Sequence, residues 1–340
     1  MIPIEALRTG GPILETSLML MAVGAVITLA LAVLYRAIWF LLRDRERTPS
    51  GFGLLLAPAM LVAGCVAGVS APLLISLGII TVATLAYWLD DILELSARSR
   101  VAIAIVAGAL VGAIYPVMAG YSPLVIVALA VAAAIVNVLL VSMVNFQDGA
   151  DLNLATLIVL TAALLFAYAP HAREWVPLAL ACLAFTLPFA MLNARPATIY
   201  FGDSGSFAFA MLFVVMALAF LVGPVMPPPE AAIPSALAVV DTAVVTLWRI
   251  KIRQPFTTRH YFHLYQRLQR YQPGFAYLLP QFVNAALCIA LAQLLQLAGI
   301  PRFWSVAAAM VVVTIPLFFA WRKWFAAGEP GPPLARGATK

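Results

Sequence analysis

The sequence predicts an all-α, polytopic membrane protein, and three observations predict it. Hydrophobic residues make up 64% of the chain and charged residues 10%, with a mean hydropathy of +1.02. Soluble domains carry roughly 25% charged residues. The apolar residues fall in long runs of the length a helix needs to cross the hydrocarbon core, about 20 residues. Those runs lack the alternation of a transmembrane barrel strand.

About eleven runs are expected to be transmembrane helices: 14–42, 51–70, 72–89, 101–118, 123–144, 152–169, 174–192, 206–226, 232–250, 275–298 and 303–325. The first has no basic segment before it and is too long for the core of a cleavable signal, so it reads as a span. Together they predict one transmembrane domain over residues 1–327. Residues 328–340, rich in Gly and Pro, read as a disordered tail. Cys65, Cys182 and Cys288 sit inside apolar runs without ligand spacing and read as packing residues. The formal charge of +6 reports topology rather than nucleic-acid binding.

If the N-terminus is outside and eleven spans alternate, most of the 20 basic residues fall on inner loops. They are Arg43, Arg45 and Arg47, then Arg98 and Arg100, Arg195, the stretch from Arg249 to Arg270, and the tail from Arg322. The positive-inside rule then orients the chain N-out and C-in. Asp90, Asp91, Glu94, Asp148, Asp151 and Asp203 share that inner face, while the outer loops are short. No internal repeat is visible, which weighs against inverted-repeat transporters.

Four stretches carry chemistry. Asp90-Asp91 closes the third run, and adjacent carboxylates at a membrane boundary call for a basic partner, Arg98 or Arg100, or for a cation such as Mg²⁺. Asn145, Asp148 and Asp151 follow the fifth run at a spacing of three, so a helical turn would align them, although Asp148-Gly149 also makes a plain turn. Residues 193–206 read N-A-R-P-A-T-I-Y-F-G-D-S-G-S. Asp203 or Ser204 could simply cap the next helix, or Asp203 could hold a metal while the free N–H groups of the helix start face an anion. Tyr200-Phe201 beside it could stack on a base. The largest inner loop, 248–273, is basic and aromatic. It could bind lipid headgroups, yet His260 and His263 at i, i+3, continued by Arg267 and Arg270, suit phosphate. Asp241 is the one carboxylate deep in an apolar run and is expected to pair with a polar neighbour.

These residues resemble the polyprenyl-phosphate N-acetylhexosamine-1-phosphate transferases of MraY and WecA type. Asp90-Asp91 with Arg100 is similar to that family's D-D…R loop, and Asn145-x-x-Asp148-Gly149-x-Asp151 to its N-x-x-D-G-x-D loop. Asn193, Pro196-Ala197 and residues 202–206 are similar to its N-x-x-P-A…G-D-x-G-S hinge. Residues 241–268 resemble the WbpL-like branch that starts O-antigen synthesis.

The resemblance implies that a polyprenyl phosphate attacks the β-phosphorus of a UDP-N-acetylhexosamine and releases UMP. The reaction would lie on the cytoplasmic face of a bacterial inner membrane, as a first step of surface polysaccharide or lipopolysaccharide synthesis. It implies Mg²⁺, or Mn²⁺, at Asp203, with Asp90 and Asp91 assisting at the metal or lipid phosphate. Asn145, Asp148 and Asp151 would shape the uridine side with Asn193 beside them, Tyr200 would stack on the base, and His260 and His263 would meet the diphosphate or sugar with Arg267. A homodimer is a further expectation.

Of the family's first inner loop only Thr48-Pro49-Ser50-Gly51-Phe52-Gly53 is present, which leaves Arg45 or Arg47 to supply its cationic role. Leu152 replaces the glycine that follows the second aspartate. The triple-His pattern of the muramyl-pentapeptide branch is absent. A transporter or lipid flippase with carboxylates on an ion path, and a catalytically degenerate homologue, are the rival readings.

Overall fold

The computed structural model describes residues 11–42, 48–93, 96–168, 174–194, 196–255, 260–271 and 274–326. The loop that holds Arg45 and Arg47, together with Arg195, residues 256–259 and the tail, lies outside the described residues. Every described element is helical. The helices are α1 (Gly11–Leu42), α2 (Leu56–Ala67), α3 (Ala71–Leu93), α4 (Ala97–Met118), α5 (Pro123–Gln147), α6 (Asn153–Tyr168), α7 (Trp175–Asn193), α8 (Gly202–Val222), α9 (Ser235–Lys251), α10 (Leu264–Tyr271), α11 (Leu279–Leu297) and α12 (Arg302–Ala326). Short 3₁₀ turns precede α2, α9 and α11.

Each of the eleven apolar runs forms a helix. Among the described residues nine helices are long and apolar enough to cross a membrane. The runs at 51–70 and 152–169 form the shorter apolar helices Phe52–Ala67 and Asn153–Tyr168. At 1.5 Å per residue, α6, with 16 residues, is about 24 Å long, short of the roughly 30 Å hydrocarbon core. Gly68, at φ 65°, stops α2 after 12 residues.

By its internal contacts the chain divides into two units, Met1–Ala232 and Ile233–Lys340. In the first, α8 is the central helix. It is 78% buried over its apolar window, whereas α1 is 11% buried and packs on α7. α2, α3, α4 and α5 surround α8. The closest helix pair is α4 with α5, where Gly108 and Gly112 meet Ala133 and Ala130. A Cβ on Gly112 would come within 2.6 Å of the Ala133 Cβ. Small residues let the backbones approach, and the buried Asn137 Nδ2 donates across the gap to the Ala104 carbonyl at 2.7 Å.

In the second unit α12 packs on α9, α10 and α11. The basic stretch does not form one long amphipathic helix. α10 has only eight residues and starts at Leu264, so His260 and His263 precede it instead of lying on its ridge.

Candidate active site

The start of α8 is built by a strap. The Tyr200 N–H donates to the Pro49 carbonyl at 2.7 Å, and the Gly53 N–H to the Phe201 carbonyl at 2.9 Å. The surviving T-P-S-G-F-G segment therefore lies against the residues that lead into Asp203. Contact is backbone to backbone: a Cβ on Gly53 would stand 2.4 Å from the Gly205 Cα, so only glycine fits. Phe201, 1% exposed, closes the strap underneath by packing with Phe185 and Phe189. The aromatic pair thus splits: Phe201 is core, and Tyr200, 41% exposed, is the ring left at the surface.

A helix start needs acceptors for its free N–H groups. Neither Asp203 nor Ser204 caps α8. Asp91, at the end of α3, supplies the acceptors instead. Its Oδ1 accepts from the Asp203 N–H at 2.9 Å, and its Oδ2 from the Ser204 N–H at 3.2 Å and the Ser204 hydroxyl at 2.8 Å. These N–H groups face an internal carboxylate, where the sequence left them for an anionic ligand. Asp91 is thus a cap contributed by another helix, whatever else it does, and it frees the Asp203 side chain.

Asp203 turns its carboxylate toward two donors. Asn145 Nδ2, near the end of α5, reaches Oδ1 at 2.5 Å, and Arg100 of α4 reaches Oδ2 at 2.9 Å. The Arg100 Nε also lies 3.4 Å from Asp90, which is buried, so one guanidinium bridges two carboxylates. Arg100 itself is held by its backbone, whose carbonyl accepts the Tyr87 hydroxyl at 2.8 Å, and Tyr87 stacks on Phe207 of α8. Of the two basic partners open for Asp90-Asp91, the structure pairs Arg100.

α5 ends at Gln147, so Asn145, Asp148 and Asp151 do not share a helical face. Asp148 and Asp151 lie in the turn that follows. The Asp148 carboxyl is raised well above the usual carboxylate value, by desolvation first and then by the charges of Asp203 and Asp91, with the Gly202 N–H pulling the other way. Tyr200 is raised as well, through burial and then Asp151 and Asp148, which keeps its phenol neutral beside these acids.

Leu152 holds φ 64°, the left-handed conformation that explains a glycine in the related pattern. Its N–H donates to Asn193 Oδ1 at 2.7 Å, and Asn193 Nδ2 donates to the Ile199 carbonyl at 3.0 Å. Asn193 is 6% exposed and both ends of its amide serve the backbone. It braces the 148–152 turn against the hinge, a structural task where the sequence suggested ligand contact.

In the second unit the carboxylate of Asp241 is buried and paired as expected, with His263. The His263 Nδ1 lies 3.1 Å from Oδ2, and the Leu264 N–H donates to Oδ1 at 3.0 Å. His263 is 2% exposed, so it is an internal residue of this unit. His260 is half-buried and its ring centre lies 5.1 Å from that of His263. Desolvation, then Arg249 and His263, lower the His260 imidazole to about 4. Arg267 begins the hydrogen bonding of α10, its N–H donating to the His263 carbonyl at 3.1 Å. The guanidinium of Arg249 donates to the Pro255 carbonyl.

Among the described residues no group of three or more His, Cys, Asp or Glu side chains is arranged to enclose a metal. Mg²⁺ does not require such a cage: it takes one or two carboxylates and completes its shell with water and substrate phosphates. Asp203, 28% exposed and close enough to Asp148 and Asp91 for their charges to interact, offers that kind of donor set. Excess negative charge and an accessible carboxylate fit a hard divalent cation that arrives with a phosphate ligand.

Fold and site together define a polytopic helical membrane protein whose carboxylate-rich centre is assembled from the ends of α3, α5 and α8. Residues 73–221 match the model of glycosyl transferase family 4, and the match supports a relation to the MraY/WecA-type superfamily. The matched stretch holds Asp90, Asp91, Arg100, Asn145, Asp148, Asp151, Asn193, Tyr200 and Asp203. The family supports, in general terms, a polyprenyl-phosphate sugar-1-phosphate transferase. No curated protein matches the chain.

Proposed function

We propose that the protein transfers an N-acetylhexosamine-1-phosphate from its UDP donor to undecaprenyl phosphate and releases UMP. The observation that carries this reading is the centre at Asp203. A carboxylate there is held by Arg100 and Asn145, while Asp91 takes over the helix-capping work that would otherwise occupy it. Mg²⁺ held by Asp203, with Asp90 and Asp91 in support, would supply positive charge to the donor's diphosphate.

The chain's own groups have separate tasks. Arg100 bridges Asp90 and Asp203 and has a planar fork of five N–H donors, so it can turn part of that fork to a phosphate oxygen without leaving its anchor. The exposed Tyr200 ring, kept neutral, suits stacking on uracil beside Asp148 and Asp151. In the reaction a phosphate oxygen of the lipid forms a bond to the β-phosphorus as the bond to the UMP oxygen breaks. Positive charge around the separating phosphates favours that transition state.

Two further points support an active enzyme over a degenerate one. Leu152 holds the left-handed backbone conformation that a glycine there would adopt, and the altered first loop keeps the strap to Tyr200 and Phe201. The distribution of basic residues supports the N-out, C-in orientation, which puts the centre at the cytoplasmic face of a bacterial inner membrane. An O-antigen-type pathway is the role we infer for the product.

The test is an assay of the purified protein with undecaprenyl phosphate, Mg²⁺ and a panel of UDP-sugars, scoring UMP. Release from at least one donor, abolished by excess chelator, is expected. No release from any donor would refute the proposal.

A further inference from the structure

Tyr35 lies in α1, about two turns before that helix ends at Leu42, inside a stretch long and apolar enough to cross a membrane. A phenol hydroxyl in such surroundings needs a partner, and Tyr35 has two. Its oxygen accepts the Trp88 indole N–H at 3.2 Å, and its proton goes to the Ser50 carbonyl at 2.6 Å. These roles cannot be exchanged, because an indole N–H only donates and a carbonyl only accepts. One hydroxyl thus ties α1 and α3 to the segment that forms the strap.

Ser50 sits in the middle of what that segment holds. The Pro49 carbonyl before it takes the Tyr200 N–H at 2.7 Å, and the Phe52 N–H after it donates to the Tyr200 carbonyl at 3.3 Å. Both backbone groups of Tyr200 are therefore bound by the strap. Between them Gly51 turns the chain at φ 89°, and its carbonyl accepts the Ser204 hydroxyl at 3.3 Å. The peptide leading into this turn is the one whose oxygen Tyr35 holds. The Tyr35 ring also packs edge-on against Phe52 at 5.6 Å, so hydroxyl and ring secure the residues on both sides of Gly51.

We propose that Tyr35 is a positioning residue: through the Ser50 carbonyl it holds the strap that fixes Tyr200 for the base of the donor nucleotide. This rests on the transferase reading for the identity of that ligand, whereas the latch itself does not. A half-exposed ring keeps a productive geometry only as well as the groups behind it keep its backbone. α1 and the strap precede residues 73–221, so the stretch that matches the family model leaves this support out.

Tyr35→Phe removes the hydroxyl and keeps the ring, so the contact with Phe52 is preserved. Hydrogen–deuterium exchange of the full-length protein in lipid nanodiscs reads the strap directly. Amides of segments 49–53 and 199–201 should exchange about 3–10-fold faster, the worth of one neutral hydrogen bond, with the interior of α8 unchanged. Unchanged exchange at the strap in the folded variant would overturn the proposal. Faster exchange across the whole bundle would overturn it too, because that is general destabilisation.

In turnover, the donor KM should rise by about 3–10-fold with kcat within about twofold of wild type, the pattern of binding lost equally from ground and transition states. UMP affinity, measured by calorimetry, should weaken by the same factor. A fall in kcat with KM and UMP affinity unchanged would contradict the assignment. A wild type that releases no UMP from any donor would refute the transferase reading, while exchange and UMP binding would still decide the role of Tyr35.

Discussion

Replacing Asp203 by asparagine should separate stability from turnover. The variant loses the charge that Arg100 and Asn145 address, and the new amide presents N–H groups to one of these two donors. Hydrogen bonds to a charged group are worth about 1.5–3 kcal/mol, and exposed ion pairs about 0.2–1 kcal/mol. The Arg100 pair belongs near the lower figure, because its side chain is 40% exposed and that of Asp203 28%. Removing the charge also relieves repulsion with Asp148 and Asp91.

The helix start is untouched, since the Asp203 and Ser204 N–H groups still donate to Asp91. The net loss should therefore be about 1–2 kcal/mol, a drop in Tm of several degrees. Turnover should fall by about 10²–10³-fold or more, the range seen when one stabilising group is removed from a developing charge. The assay pairs a thermal-unfolding scan with initial rates of UMP release at saturating donor. A folded variant that turns over within about tenfold of wild type, against that expected range, would refute the assignment of Asp203.

Other substitutions test the scaffold. Gly53→Ala puts a Cβ 2.4 Å from the Gly205 Cα and 2.8 Å from the Phe201 carbonyl, so backbone must move. Overpacking of about 1–3 kcal/mol is expected, visible as a lowered Tm with activity lost in step. At Leu152, φ 64° excludes β-branched side chains, so Leu152→Val should destabilise by more than Leu152→Gly, which should stay within about 1 kcal/mol of wild type. Equal effects would contradict the left-handed turn.

His260 gives a pH signature. Its imidazole titrates near 4 when folded against 6.5 when unfolded, so between these values the unfolded chain binds the extra proton. Its share of stability is complete above pH 6.5 and is lost as pH falls toward 4. The Tm difference between wild type and His260→Gln should change across that window and be flat above it.

Much of this was legible in the sequence because it depends on local pattern. Apolar runs of sufficient length had to be helices, and all eleven are. Asp90-Asp91, Arg100, Asn145 and Asp203 stood out as polar groups in an apolar chain, and the fold brings them together. Four features were not legible, each because it depends on contact between distant segments. Asp91 caps a helix more than a hundred residues away, so a reading of α8 alone could offer only Asp203 or Ser204 as its cap. Asn193 had the composition of a ligand-binding amide, but both its ends serve the backbone of neighbouring turns.

The helical ridge expected at His260 and His263 failed because Asp241, another distant residue, starts α10 at Leu264. The glycines offered a partial signal for the missed strap. Gly51 and Gly53 on one segment, with Gly202 and Gly205 on another, are what a close backbone crossing needs, but sequence alone does not pair them.

The most direct measurement follows the β-phosphorus. With a donor labelled with ³²P at the β-phosphate, purified protein, Mg²⁺ and undecaprenyl phosphate, label should move into the lipid phase in equal amount to the unlabelled UMP released. Label that stays in water as UDP while the sugar moves to the lipid would mean attack at the sugar carbon and would contradict sugar-1-phosphate transfer. Label that remains in intact UDP-sugar with every donor would contradict the enzyme itself.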